Sequence, residues 1–235
     1  MVQLIIMHLI KDCSSSSSIV AEAYAGCIAG RLVAVSVDSC TNDGSSISVT
    51  KYITESDTKY AYLGGFVGRG YLASNCTNKV NISYISDGRY VGGIMGYTDA
   101  SGSSTMSNLK NEATIKGKDY VGGIIGSWNV STKNYSNYTV NIDSFENTGA
   151  VTGTGNYVGG LLGHMYFNEG SSYTVFMTEL HNSANINGKN YVGGLIGYGE
   201  TDSDKSSVVD STSTGSVTGT GNYGKVAGKL VRISA

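Results

Sequence analysis

The chain has 235 residues, of which 14% are charged and 40% hydrophobic, with a net charge of −2. The hydrophobic share excludes a disordered Gly/Ser tract. The lack of a basic stripe excludes nucleic acid as a partner, and no apolar run reaches the roughly 20 residues of a membrane helix. Glycine is abundant (33), proline is absent, and 17 tyrosines stand against four phenylalanines.

Residues 1–12 open with an apolar stretch, Met1 to Ile10, with no positive start and with Lys11 and Asp12 behind it. This predicts an N-terminal strand or cap, a secretory signal being the alternative. Cys13, Cys27, Cys40 and Cys76 follow without CxxC spacing, so no metal site is expected. Cys13, Cys40 and Cys76 occupy the slot that later units fill with asparagine. They read as an internal column of small thiols, with a Cys13–Cys40 disulfide between adjacent coils as the alternative.

From Tyr24 onward one pattern recurs, Tyr-x-Gly-Gly-φ-φ-Gly, where φ is apolar. Its clear copies hold Tyr62, Gly64, Gly65 and Gly68; Tyr90, Gly92, Gly93 and Gly96; Tyr120, Gly122, Gly123 and Gly126; Tyr157, Gly159, Gly160 and Gly163; and Tyr191, Gly193, Gly194 and Gly197. Degenerate copies begin at Tyr24 and Tyr223. An apolar residue, a polar residue near Asn111, Asn147 or Asn182, and a β-branched residue precede the motif, and a glycine turn joins the two parts. The segment is apolar on both alternating faces, as a strand covered on both sides must be. A unit of about 30 residues buries no such strand alone, so the copies are expected to stack at about 4.8 Å per coil. The prediction is one all-β domain over 1–235, an elongated parallel β-helix-like solenoid of about seven coils. It carries a ladder of the seven motif tyrosines and a C-terminal cap at 224–235, where Lys225, Lys229 and Arg232 discourage further pairing.

The longest variable stretches, 127–144 and 164–179, hold Trp128, Tyr135 and Tyr138, then Tyr166, Phe167 and Tyr173. On adjacent coils these form a candidate ligand-binding patch for sugar rings or a protein partner. The competing reading makes them period-two strand residues, as in Tyr138, Val140, Ile142 and Tyr173, Val175, Met177. Gly219 to Gly224 matches GxGxxG but precedes another glycine-rich strand, so no nucleotide cofactor is expected. His8, His164 and His181 show no ligand spacing. The crowded carboxylates are Asp143, Glu146, Glu169 and Glu179.

The cores Gly-Gly-Leu-Leu-Gly163 and Gly-Gly-Leu-Ile-Gly197 resemble the GLUG motif, a repeat of bacterial surface and secreted proteins. The resemblance covers about Cys13 to Gly228 and implies a solenoid stalk or adhesive region, extracellular or at a cell surface, within a longer chain. Glycans or host cell-surface proteins are the partners it implies. It imports no peptidase chemistry, since His-Glu-x-x-His is absent. A non-catalytic module is therefore expected; the alternative is a polysaccharide-active β-helix enzyme, which requires carboxylates gathered on one face.

Overall fold

In the computed structural model the described residues are 8–232, apart from 45, 50–52, 56–57, 85–88, 101, 131–136, 168–171 and 202–205. Every described regular element is a strand, and each coil turns through four faces. One coil illustrates the path: Ser104–Asn111 on the first face, Ile115–Gly117 on the second, Asp119–Gly122 on the third and Ile125–Val130 on the fourth. Strands on the same face pair in parallel, each residue beside its counterpart one coil away, such as Ile115 with Val151 and then Ile186. The exception is the antiparallel hairpin Ile53–Glu55 with Thr58–Tyr60, an insertion between the second and third faces.

The second, third and fourth faces each stack seven strands. Among the described residues five turns lie between two neighbours, and the rung at each end has a neighbour on one side only. The expected seven coils are thus five turns with two neighbours and two end rungs with one. Burial follows this division: Val121, Val158 and Val192 are inaccessible, whereas Tyr223 is 59% exposed on the last described rung. Two apolar columns fill the interior. One, with Ile94, Phe145 and Leu161, lies against the first and fourth faces; the other, with Ile82, Val121 and Val151, lies against the second and third.

The glycine motif is not one doubly covered strand, as its alternation suggested. It turns a corner: Arg89–Gly92 lies on the third face and Met95–Thr98 on the fourth. Tyr90, Tyr120, Tyr157 and Tyr191 enter that corner with φ of 70°, 55°, 62° and 53°, in the left-handed region. The second glycine is required by close packing. A Cβ on Gly123 would collide with the Gly160 carbonyl oxygen and with the Asn147 side chain of the next coil.

That asparagine belongs to a buried ladder, Asn42, Asn78, Asn111, Asn147 and Asn182. The Asn78 amide donates to Asn111 Oδ1 (2.8 Å), Asn111 to Asn147 (2.7 Å) and Asn147 to Asn182 (2.9 Å). Each of these three amides also donates to a backbone carbonyl two residues on in its own coil. The cysteines do not share this slot. Cys76 pairs with Leu109, and Asn78 with Asn111, so the thiol column stands two residues earlier than expected. Cys13, Cys27, Cys40 and Cys76 are all free thiols.

Candidate functional site

A left-handed residue interrupts the first face once in every coil: Asp12, Ser39, Asn75, Asn108, Ser144, Glu179 and Asp210, all with φ between 48° and 54°. Short polar side chains tolerate this conformation best. It shifts the inward–outward alternation by one residue, so that Ser107 and Asn108 stand together between buried Met106 and Leu109. The result is a polar shelf along the solenoid axis, on which Thr77, Lys110, Ser144, Glu146, Glu179 and His181 line a cleft of about 320 Å³.

The shelf is laced by contacts between coils. Asn108 Nδ2 donates to Asn75 Oδ1 (2.9 Å), and Asn75 donates to Asp38 (2.7 Å), holding that carboxyl below its ordinary value. The Ser144 hydroxyl lies 2.9 Å from Glu179 Oε2 and 3.2 Å from Asp143 Oδ2. Lys110 reaches Glu112 (3.2 Å) and Glu146 (3.4 Å), and these carboxylates raise its ammonium above the usual range. Asp143, Glu146 and Glu179 are therefore brought to one face of adjacent coils, as the enzymatic alternative requires; Glu169 lies outside the described residues. Carboxylates and an ammonium set beside amides on an open shelf suit recognition of vicinal hydroxyls.

The expected aromatic patch does not form. Trp128 and Tyr173 are fully buried and Phe167 is 1% exposed, so none offers a ring face to a ligand. Phe167 stacks on Tyr173 at 4.7 Å, Tyr138 lies half-buried beside Tyr173, and Trp128 Nε1 donates to the Ala100 carbonyl. The period-two reading describes these residues, because alternation on the first face sends Tyr173, Val175 and Met177 inward. Tyr135 lies outside the described residues. Tyr166, half-buried, points the other way and stacks on His164.

The stacked aromatics sit instead at the corner between the third and fourth faces, Tyr62 buried and the others half-buried. Tyr24, Tyr62, Tyr90, Tyr120, Tyr157 and Tyr191 form a continuous stack with centroid spacings of 4.8 to 5.2 Å. Tyr223 is not its seventh ring. The last coil pairs Val192 with Tyr223, which places Asn222 beside Tyr191. A second column, Arg69, Tyr97, Ser127, His164 and Tyr198, runs beside the stack. Tyr97, His164 and Tyr198 meet the stacked rings edge-on, and the Arg69 guanidinium lies 5.1 Å over Tyr97. Burial pushes the His164 imidazole down to about 4. Because the stacked rings occupy one another's faces, this corner offers edges rather than stacking platforms. The second column stands two residues after the motif's first apolar pair in each copy, so repeat alignment extended past the final glycine would have found it.

Among the described residues no group of three His, Cys, Asp or Glu side chains could hold a metal ion, and no helix is long and apolar enough to cross a membrane. The family model of the GLUG motif matches residues 188–218. That segment begins just after the strand Ile186–Asn187 and closes with Val217–Thr218 one coil later, so it spans one turn of the solenoid. Comparison with curated proteins and with solved structures gives no match. The chain thus carries a GLUG motif at 188–218, set within a solenoid that repeats the same glycine corner at Gly64–Gly65, Gly92–Gly93, Gly122–Gly123 and Gly159–Gly160.

Proposed function

We propose that this repeat module is non-catalytic and serves a secreted or cell-surface protein as a stiff spacer whose polar shelf engages glycans or host cell-surface proteins. The observation that carries the reading is the shelf itself: the same left-handed step recurs in every coil and lines up polar side chains along the axis. A ligand with repeating hydroxyls, such as an extended polysaccharide, would meet similar contacts from coil to coil. The ladders inside the coils add rigidity, since buried and satisfied polar networks specify one arrangement. The GLUG motif supports the extracellular setting through its resemblance to repeats of surface proteins.

A second reading, a polysaccharide-active enzyme, draws support from Asp143 and Glu179 flanking one hydroxyl with Glu146 on the same cleft. A glycan array run beside a reducing-sugar assay separates the two. Binding without release of reducing ends, lost in Lys110→Ala/Glu179→Gln, supports the spacer module. Release of reducing ends that Glu179→Gln abolishes would establish the enzyme.

A further inference from the structure

Three cysteines stand directly over one another in the first three coils. Thr41 pairs with Ser14 on one side and with Thr77 on the other, and Thr41 N donates to the Cys13 carbonyl while Thr77 N donates to that of Cys40. This places Cys13, Cys40 and Cys76 in one column. Each follows a left-handed residue, Asp12, Ser39 or Asn75, and each thiol donates to the carbonyl two residues earlier, at 3.2, 3.1 and 3.1 Å. The three side chains therefore share one orientation. The Cys13 amide also donates to Cys40 Sγ at 3.4 Å, and side-chain contacts link Cys40 to both Cys13 and Cys76.

Exposure breaks the symmetry of the column. Cys13 is half-buried on the first described rung, whereas Cys40 is 1% and Cys76 0% exposed. A solvent-borne reagent meets Cys13 first. In-register neighbours lie about 4.8 Å apart, inside the Cα range of roughly 4.4–6.8 Å that a disulfide spans. Their Cβ atoms, held at about the same separation, slightly exceed the usual range of roughly 3.5–4.5 Å. Closing the bond needs a small shift of the end rung, and the product is readily reduced.

We infer that Cys13 and Cys40 form a reversible modification site, where a low-molecular-weight disulfide drives an intercoil bond that fastens the first described rung to the second. The Cys13 thiolate attacks one sulfur of the reagent, forming a mixed disulfide and releasing one thiolate. The Cys40 thiolate then attacks the Cys13 sulfur and displaces the second. Both cysteines are oxidised, the reagent is reduced to two thiols, and the two cysteine protons pass to the released thiolates. Burial raises the Cys40 thiol, so the second step quickens as the pH rises. Cys76 is pushed up to about 12 by burial beneath the second coil and stays protonated.

The test uses the full chain carrying Cys27→Ser, so that tryptic peptide 12–31 holds a single cysteine. The reduced protein is incubated with oxidised glutathione, then alkylated and digested without reductant. The expected product is peptide 12–31 linked to 32–51, lighter by a pair of hydrogen atoms than the two free peptides. It forms at least tenfold faster in the folded chain than in urea, and amide exchange in His8–Lys11 slows once it has formed. A bond between 32–51 and 70–79, glutathione left on Cys13 with no linked peptide, or equal rates in urea would each overturn the inference.

Discussion

Asn147 gives the sharpest test of what holds the coils in register. Its side chain accepts from Asn111 (2.7 Å) and donates to the Gly149 carbonyl and to Asn182 (both 2.9 Å), with no exposure to solvent. Leucine has nearly the same shape and makes none of these bonds. In Asn147→Leu the Asn111 amide keeps its bond to the Ala113 carbonyl, and Asn182 Oδ1 keeps the Ala184 amide. One Asn111 N–H and the Gly149 carbonyl are left buried without partners. Each such orphan costs about 1–3 kcal/mol, and the gain from the added apolar surface, about 1 kcal/mol, offsets only part. The expected net loss is about 1–5 kcal/mol, a large share of a domain's stability. Urea unfolding followed by far-ultraviolet circular dichroism measures it, with Lys116→Ala on the exposed second face as a control expected within about 0.5 kcal/mol. If Asn147→Leu is as stable as that control, the ladder does not hold the coils and the reasoning fails.

Gly123→Ala should destabilise by about 2–4 kcal/mol, through the forced separation of its corner from the Gly160 carbonyl and Asn147; an alanine variant that melts with the parent would remove the steric explanation. His164 predicts a pH dependence. Its folded value of about 4 lies below the ordinary 6.5, so the unfolded chain binds the proton first as the pH falls. The stabilisation is fully present above about pH 6.5 and is lost toward pH 4, by up to about 3 kcal/mol. His164→Phe should flatten that part of the profile relative to the parent; an unchanged difference between pH 7 and pH 4.5 would contradict it. Lys225 occupies the second-glycine slot of the last coil, opposite Gly194. A further coil's asparagine would collide there. Truncation at 223 should therefore promote end-to-end association, read by analytical ultracentrifugation; a truncated chain that stays monomeric would refute the cap.

Repetition made the stacking legible, because five near-identical glycine cores require one packing solution repeated. The corner did not show. Tyr90-Val91-Gly92-Gly93 reads as a strand by apolar alternation, and only the backbone contacts of Gly92 and Gly93 reveal why it must turn. The asparagine ladder was half visible. Asn111, Asn147 and Asn182 stood out in aligned segments, but Asn42 and Asn78 were hidden by cysteines two positions earlier that occupy the slots of Leu109 and Phe145. Tyr223 misled because the last copy is one residue short, and a one-residue slip moves a side chain to the opposite face. The aromatic patch failed for a related reason: Trp128 and Phe167 fall in the variable stretches, yet both continue fourth-face strands whose alternate residues point inward. The polar shelf left no strong signal, since Ser, Asn, Asp and Glu share its left-handed column without forming a motif.

The central claim is that equivalent residues of distant repeats lie one strand spacing apart per coil. Ser48, Ser83, Lys116, Thr152, Asn187 and Thr218 occupy one column of the second face. Dipolar spectroscopy on nitroxide pairs at Ser83/Thr218 and Ser48/Thr218 should give backbone separations of about 19 Å and about 24 Å, four and five strand spacings. Distances that do not lengthen by one spacing between the two pairs, or that exceed these values severalfold, would contradict the stacked solenoid.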